Sequence, residues 1–324
     1  MTQSLTIHIS KFLKQYCSGK EPLLLALSGG PDSLALLHLL LHHRRKEPSF
    51  SFAVAHIDHG WRQESAQEAA ILENKVLALS VPFHLKTLSP GSIEGNLEAA
   101  CREERLRFFA ELCAQHSYQG VLLSHHADDV AETVLKRVFE GASLSYLAGM
   151  HPETENYGIK LWRPFLAIRK HQIESWLHSQ GDKGFCDSTN LDPKFMRGRL
   201  RTRILPDLNR EFGKDVTTAL CHLGEASAEL RDYLDARIAP FMARVEVGAS
   251  GASLDLSKNS PEAKLEIRYL IRRFCETYAV PLSRDALHLA TEIFMEGSSK
   301  KSICLSKDLY LSIHRFCLTI GLVA

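Results

Sequence analysis

No apolar run in this chain of 324 residues approaches the ~18 residues that a membrane-spanning helix needs. The first residues, with Lys11 and Lys14 among short apolar stretches, lack the apolar core of a secretory leader, so the cytoplasm is the expected compartment. No two of the eight cysteines stand as Cys-x-x-Cys. Zinc-ribbon and thioredoxin-like readings therefore fail, and the thiols are expected to be reduced. An excess of one charge is missing too. With 39 Lys and Arg against 38 Asp and Glu the net charge is +1, so any nucleic-acid footprint must be local. There is no low-complexity stretch and no internal repeat. Gly-x-Gly-x-x-Gly does not occur, which weighs against a dinucleotide fold, and no loop ends in Gly-Lys-Ser/Thr, which excludes a Walker A loop.

What is present, 45% hydrophobic and 24% charged, is the composition of a globular protein long enough for two domains. The chain is organised around residues 23–37. The apolar run Leu23–Leu27 has the length of a strand buried on both faces. It enters Ser28-Gly29-Gly30-Pro31-Asp32-Ser33 and leaves it as a helix. Gly29 and Gly30 permit positive φ and close backbone approach. The first amides of the helix lack intrahelical partners and lie at the positive end of its dipole, which suits phosphate. Ser28 and Ser33 add hydroxyl donors. A plain strand-to-helix turn with proline at its first position would look similar, but Asp32, an acid beside an anion site, then has no purpose.

The same alternation continues. Residues 2–17 carry an amphipathic stripe, 51–57 and 81–88 read as strands, and 98–116 as a long helix. Residues 120–124 form a fourth strand, and 169–180 another helix. Strands alternating with helices give a parallel sheet with helices on both faces, and ligands in such sheets bind beyond the carboxyl ends of the strands. The loop at 28–33, Asp58-His59 and His125–Asp129 all fall at such ends. From Lys194 to Lys214 there are seven cations against two acids, the local basic footprint. After Gly213 the pattern gives a long helical hairpin, then short strands that include 302–305 and 309–313.

Three constellations carry chemistry. His56, Asp58, His59, His125, His126, Asp128 and Asp129 have the residue types of a two-metal phosphohydrolase. Asp128, Asp129 and Glu132 open a helix, where one acid serves as a cap but three exceed that need. Arg197, Arg199 and Arg201 alternate with small and apolar residues, as either a solvated face or a phosphate-binding one.

The loop resembles the S-G-G-x-D-S loop of the PP-loop ATP pyrophosphatases. The wider set resembles the bacterial tRNA(Ile)-lysidine synthetases over residues 22–210. It comprises Asp58-His59-Gly60-x-Arg62-x-x-Ser65, Glu98-Ala99-x-x-Arg102-x-x-Arg105, and His125-x-x-Asp128-Asp129-x-x-Glu132-Thr133. Arg163-Pro164-Phe165, Asp187-Ser188-Thr189-Asn190 and Arg197-x-Arg199-Leu200-Arg201 complete it. The chain departs from the family's usual Gln at Val130, its usual Asn at Gly198, and its basic glycine-rich segment at 140–143. Its length resembles the family's shorter forms.

The resemblance implies an ATP-dependent ligase that attaches free L-lysine to C2 of the wobble cytidine of a CAU-anticodon tRNA(Ile) through an adenylated intermediate. It implies a catalytic domain over 1–212 and a tRNA-binding accessory domain over 213–324. ATP would be held by Ser28, Gly29, Gly30, Pro31, Asp32, Ser33, His56, Asp58 and Arg102, with Mg²⁺ at Asp32. Asp129 and Glu132 would bind and deprotonate lysine, and Asp128 would be the helix N-cap. Arg105, Arg197, Arg199 and Arg201 would face the RNA. No membrane partner is implied, and monomer and homodimer both stay open. A PP-loop thiolase, an amidotransferase-type synthetase and a non-catalytic tRNA-binding protein are the other readings.

Overall fold

The structure is a computed structural model that describes residues 2–17, 20–60, 65–88, 97–185, 194–248, 251–297, 301–306 and 309–322. Arg62 and residues 187–190 of the sequence motifs lie outside the described residues. The chain divides into two compact units, residues 1–227 and 228–324. The division falls inside one helix, Val216–Met242.

The first unit runs α1 (Thr2–Tyr16), β1 (Leu23–Ala26), α2 (Pro31–Lys46), β2 (Phe52–Asp58), α3 (Ser65–Ala78), β3 (Phe83–Thr87), α4 (Leu97–His116), β4 (Val121–Leu122) and α5 (Ala127–Phe139). It continues through β5 (Glu153–Asn156), β6 (Ile159–Trp162), α6 (Lys170–Ser179), the short α7 (Met196–Arg199), a wider turn at 200–204, α8 (Leu205–Phe212) and the first part of α9 (Val216–Met242). The sheet order is β3-β2-β1-β4-β6-β5. All neighbours are parallel except β5, which hairpins against β6.

Strand parity sorts the core. Leu23, Leu25, Phe52 and Val54 pack with α1, α2, α3 and α6 on one face. Leu24, Ala53, Ala55 and Val121 pack with Leu106, Phe109 and Leu112 of α4 on the other. This is why Leu23–Leu27 is continuously apolar rather than alternating: both sets of side chains are buried. The chain turns to opposite sides of β1 when it goes to β2 and when it goes to β4. Loops therefore part at the carboxyl ends of β1 and β4, and a crevice opens there.

The second unit carries the remainder of α9, β7 (Glu246–Gly248), β8 (Gly251–Asp255), α10 (Lys264–Thr277), α11 (Arg284–Glu296), β9 (Lys301–Cys304), β10 (Leu309–His314) and β11 (Cys317–Leu322). Its five strands form an antiparallel sheet, β7-β8-β11-β10-β9. The expected helical hairpin after Gly213 is instead one 27-residue helix followed by the β7–β8 hairpin. That hairpin escapes sequence reading because β7 is only three residues long and exposed throughout, and β8 buries only Ala252 and Leu254. The seven described cysteines are all unpaired. Burial pushes the thiols of Cys17 and Cys275 up to about 12, and that of Cys113 up to about 11.

Candidate active site

The loop between β1 and α2 is locked by its own hydroxyls. Ser33 is 1% exposed and donates to Gly30 O at 3.0 Å, while its Oγ accepts from Ser28 N at 3.2 Å. Ser28 Oγ lies 3.1 Å from Ser33 Oγ. Ser33 thus shapes the loop from inside rather than facing a ligand. Only Gly29 takes a positive φ, 85°, whereas Gly30 is extended at −70° and caps α2 without a side chain. Pro31 takes the first helical position, where its missing N–H costs nothing. The α2 N-terminus has no side-chain cap and carries its partial positive charge toward the crevice.

A cavity of about 870 Å³ opens there. Ser28, Gly30, Pro31 and Asp32 form its floor, and Ala26, Ala55 and Ile57 from the strand ends form one wall. Arg105, Phe109, His125, His126, Asp129, Arg197 and Arg201 also line it. Of the residues predicted from sequence, Ser28, Gly30, Pro31, Asp32, Arg105, Asp129, Arg197 and Arg201 therefore converge.

Others do not reach the cavity. His56 and Asp58 follow Val54 in strand parity onto the face of α2 and α3, while Ala55 and Ile57 face the cavity. The His56 Nδ1–H donates to Leu27 O at 2.7 Å, and burial lowers its pKa. Asp58 Oδ1 accepts from Gly60 N at 2.8 Å, closing the turn after β2. Arg102 is exposed, one turn before Arg105 on α4.

The helix that opens with acids is capped differently from expectation. Its N-cap is His126, not Asp128. His126 N–H donates to Asp129 Oδ2 at 3.0 Å, and Asp129 N–H donates to His126 Nδ1 at 3.3 Å. Nε2 of the same ring faces Asp32 Oδ2 at 3.7 Å. His126 itself is fixed by a parallel bridge to Phe165. Asp128 turns aside and accepts from the Arg169 guanidinium at 3.0 Å and from Lys170 N at 2.8 Å. Arg163 is buried and donates to His151 O and Thr154 Oγ1, both at 3.0 Å, so it braces β5 against β6.

Asp129 and Glu132 converge on one cation, and that cation is Arg201. Its Nη2–H donates to Asp129 Oδ1 at 2.8 Å and its Nε–H to Glu132 Oε1 at 2.5 Å. Arg201 is thus not part of an outward phosphate-binding face. Arg210 is also engaged, with Asp207 at 2.8 Å, so the basic footprint is thinner than the residue count implied. Glu132 lies behind Arg201, 3% exposed, and its Oε2 is buried without a hydrogen-bond partner among the described residues. Burial would raise the Asp129 carboxyl, but the charges of His126 and His125, the His126 N–H and Arg201 hold it below the usual range. Burial raises Glu132, and Arg201 offsets this only in part. Burial raises Asp32 as well, against the pull of His126 and Lys170, and its Oδ1 is likewise buried without a partner among the described residues. Burial also pushes the His125 imidazolium toward its neutral form.

A lone carboxylate oxygen beside a phosphate-type loop fits Mg²⁺, which takes one or two carboxylates and completes its shell from phosphate and water. Among the described residues there is no group of three or more His, Cys, Asp or Glu arranged to hold a metal. The two-metal phosphohydrolase reading therefore loses its ligand set.

A parallel sheet whose first strand runs into an uncapped, glycine-containing Ser-Gly-Gly-Pro-Asp-Ser loop defines a PP-loop nucleotide-binding protein. The profile of the PP-loop domain family matches residues 1–208. The chain is 42% identical over 284 residues to the tRNA(Ile)-lysidine synthase of Protochlamydia amoebophila, covering 88% of this chain and 62% of that protein. It is 37% identical over 285 residues to the tRNA(Ile)-lysidine synthase of Chlamydia trachomatis serovar L2, covering 87% of each. Among solved structures it is similar in fold to the U34-tRNA thiolase NcsA from Methanococcus maripaludis. There the TM-score is 0.54 at 15% identity, over 71% of this chain and 78% of that one. This chain belongs to the tRNA(Ile)-lysidine synthase family, ligases that form a carbon–nitrogen bond.

Proposed function

We propose that this chain uses ATP to join free L-lysine to C2 of the wobble cytidine, position 34, of tRNA(Ile) with a CAU anticodon, releasing AMP and diphosphate. The observation that carries this reading is the convergence of Asp129 and Glu132 on a single cation at the wall of the phosphate-loop cavity. Cytosine O2 is a poor leaving group and must be activated first. The O2 atom attacks the α-phosphorus of ATP, and the electron pair of the broken bond leaves on diphosphate. The uncapped amides of α2 stabilise the charge that develops on it. Mg²⁺, held through Asp32, would spread that charge further when bound.

Free lysine arrives as an ammonium, since its side-chain pKa is near ~10.4. Two carboxylates already spaced to hold the guanidinium of Arg201 also fit an ammonium, which offers three donors. The amine enters at Asp129, which lines the cavity, and its proton passes to the acid pair. Glu132 is buried behind Arg201, so Asp129 is the acid that meets the amine, and Glu132 holds Arg201 in place. Arg201 keeps the acids aligned and ionised until then. The amine then attacks C2, and AMP departs with the O2 atom. The target base lies in a single-stranded loop and can be splayed into the cleft. Arg197 at the cavity edge and Arg199, two residues further along α7, would hold the flanking phosphates, and the unit after residue 227 would grip the rest of the RNA.

The test is incubation with ATP, radiolabelled lysine and tRNA transcripts that differ only at the wobble base. Label is expected only in the cytidine transcript and only with ATP. Exchange between ATP and diphosphate without lysine transfer would point to another adenylating PP-loop enzyme, and no exchange at all to a non-catalytic RNA binder. Charge reversal at Arg197 and Arg199 together is expected to weaken tRNA binding. The salt slope should also become shallower, by about 0.7 for each single-strand phosphate that is no longer neutralised. An unchanged slope in a filter-binding titration would take both residues off the RNA.

A further inference from the structure

The phosphate loop has no lysine of its own, yet a triphosphate brings more negative charge than a helix terminus alone can match. The chain returns to the loop between α6 and α7 and lays residues 181–185 directly on it. Gly184, at φ +73°, sits so close that an added Cβ would lie 2.9 Å from Pro31 N, 3.0 Å from Pro31 Cα and 3.1 Å from the Gly30 carbonyl carbon. Phe185 N–H donates to Gly29 O at 2.9 Å. The Phe185 ring covers Gly29 at a distance that leaves no room for a side chain there.

The segment is pinned from behind by Asp182. Its Oδ2 accepts from His38 of α2 at 2.9 Å and from Lys75 of α3. Its Oδ1 accepts from the backbone N–H of Lys183 at 2.9 Å and of Gly184 at 3.4 Å. The backbone of Lys183 is therefore fixed between an ion-paired anchor and a residue that touches the loop. Lys183 lines the cavity, and so does Lys170 at the start of α6. Lys170 Nζ lies 3.8 Å from Glu174 Oε1, and its charge is felt at Asp32.

We infer that residues 181–185 are a fixed strap that presents Lys183, together with Lys170, to the β- and γ-phosphates of ATP and to diphosphate as it leaves. The strap supplies from a distant part of the chain the cations that a Walker A loop carries within itself. Asp182 is a positioning residue, since it acts on the phosphates only through Lys183. The inference rests on the reading of the cavity as an ATP site.

The experiment measures binding of magnesium diphosphate, ATP and AMP by calorimetry to the full chain and to Lys183→Met, Lys170→Met and the double variant. Each lysine is expected to contribute about tenfold or more to diphosphate and ATP affinity, as a hydrogen bond to a charged group does. AMP, which lacks those phosphates, should bind as before. Asp182→Asn should weaken diphosphate with AMP unchanged, and Lys183→Arg should retain most of the affinity that Lys183→Met loses. Unchanged diphosphate affinity in the double variant, or parallel loss of AMP and diphosphate, would overturn the strap. A wild-type chain that binds neither ATP nor diphosphate would overturn the ATP site itself, and this inference with it.

Discussion

Asp32→Asn is expected to abolish ATP–diphosphate exchange and, at the same time, to raise the melting temperature. Both effects have one origin. Asp32 is a carboxylate held beside a phosphate loop with one buried oxygen that no group among the described residues satisfies. Its pKa is raised, first by burial and against the opposing charges of His126 and Lys170. A raised carboxyl pKa means that the folded chain holds this proton more tightly than the unfolded one. Stability therefore falls as pH climbs from the unfolded value of 3.8 through the higher folded one, and the loss is complete above the latter. Asparagine keeps the shape and removes the charge. Each kcal/mol relieved raises the midpoint by about 2–4 °C in a domain of this size. The exchange rate should fall by about 10²-fold or more, the scale of removing a preorganised electrostatic interaction. A thermal melt and an exchange assay on one preparation test both halves. Exchange at near wild-type rate would remove Asp32 from the chemistry.

Asp129→Asn and Glu132→Gln are expected to stop the second step and spare the first, so that adenylated tRNA accumulates. Asparagine at 129 can still accept from His126 N–H, so the cap of α5 survives and a lost activity is not a lost helix. Without its charge, each site should bind lysine more weakly or transfer its proton about 10²–10⁴ times more slowly. Arg201→Met separates chemistry from architecture. It strands two carboxylates that are largely out of water and should destabilise the fold by about 3–5 kcal/mol. Adding Glu132→Gln to that variant should recover part of the stability and none of the lysine transfer. Quenched-flow analysis of adenylated and lysinylated tRNA distinguishes the steps. If either acid variant loses adenylation first, the pair serves the nucleotide and the lysine pocket lies elsewhere.

Local sequence determined the frame because its signals are short-range. The run Leu23–Leu27, the glycines at 29 and 30 and Asp32 specify strand, loop and helix within fifteen residues, and the same alternation repeats through β4 and α5. Spacing on one helix also sufficed to say that Asp129 and Glu132 share a target, since residues three apart share a face. What occupies that target did not follow. Arg201 stands 69 residues beyond Glu132, and the packing of the turn at 200–204 and of α8 against α5 directs its guanidinium inward. Read along the chain, it was one cation in a basic run.

The same limit explains His56 and Asp58, which are at the right end of the right strand. Alternate side chains of a strand point to opposite faces, and nothing local says which face the ligand takes. The packing of α4 decided it, leaving the cavity to Ala55 and Ile57. Asp128 looked like the natural cap until Arg169, 41 residues on, drew its carboxylate away and left the cap to His126. Lys183 had no signal at all: a lysine between turn glycines is ordinary. It became part of the site because Asp182 bonds to two helices and Gly184 lies against Pro31. Residue order thus decided the strands, the loop and the charge of the acids. Which cation or ligand each charge meets was decided by packing between segments far apart in the chain, because a charge is committed only when the fold brings its partner within hydrogen-bond reach.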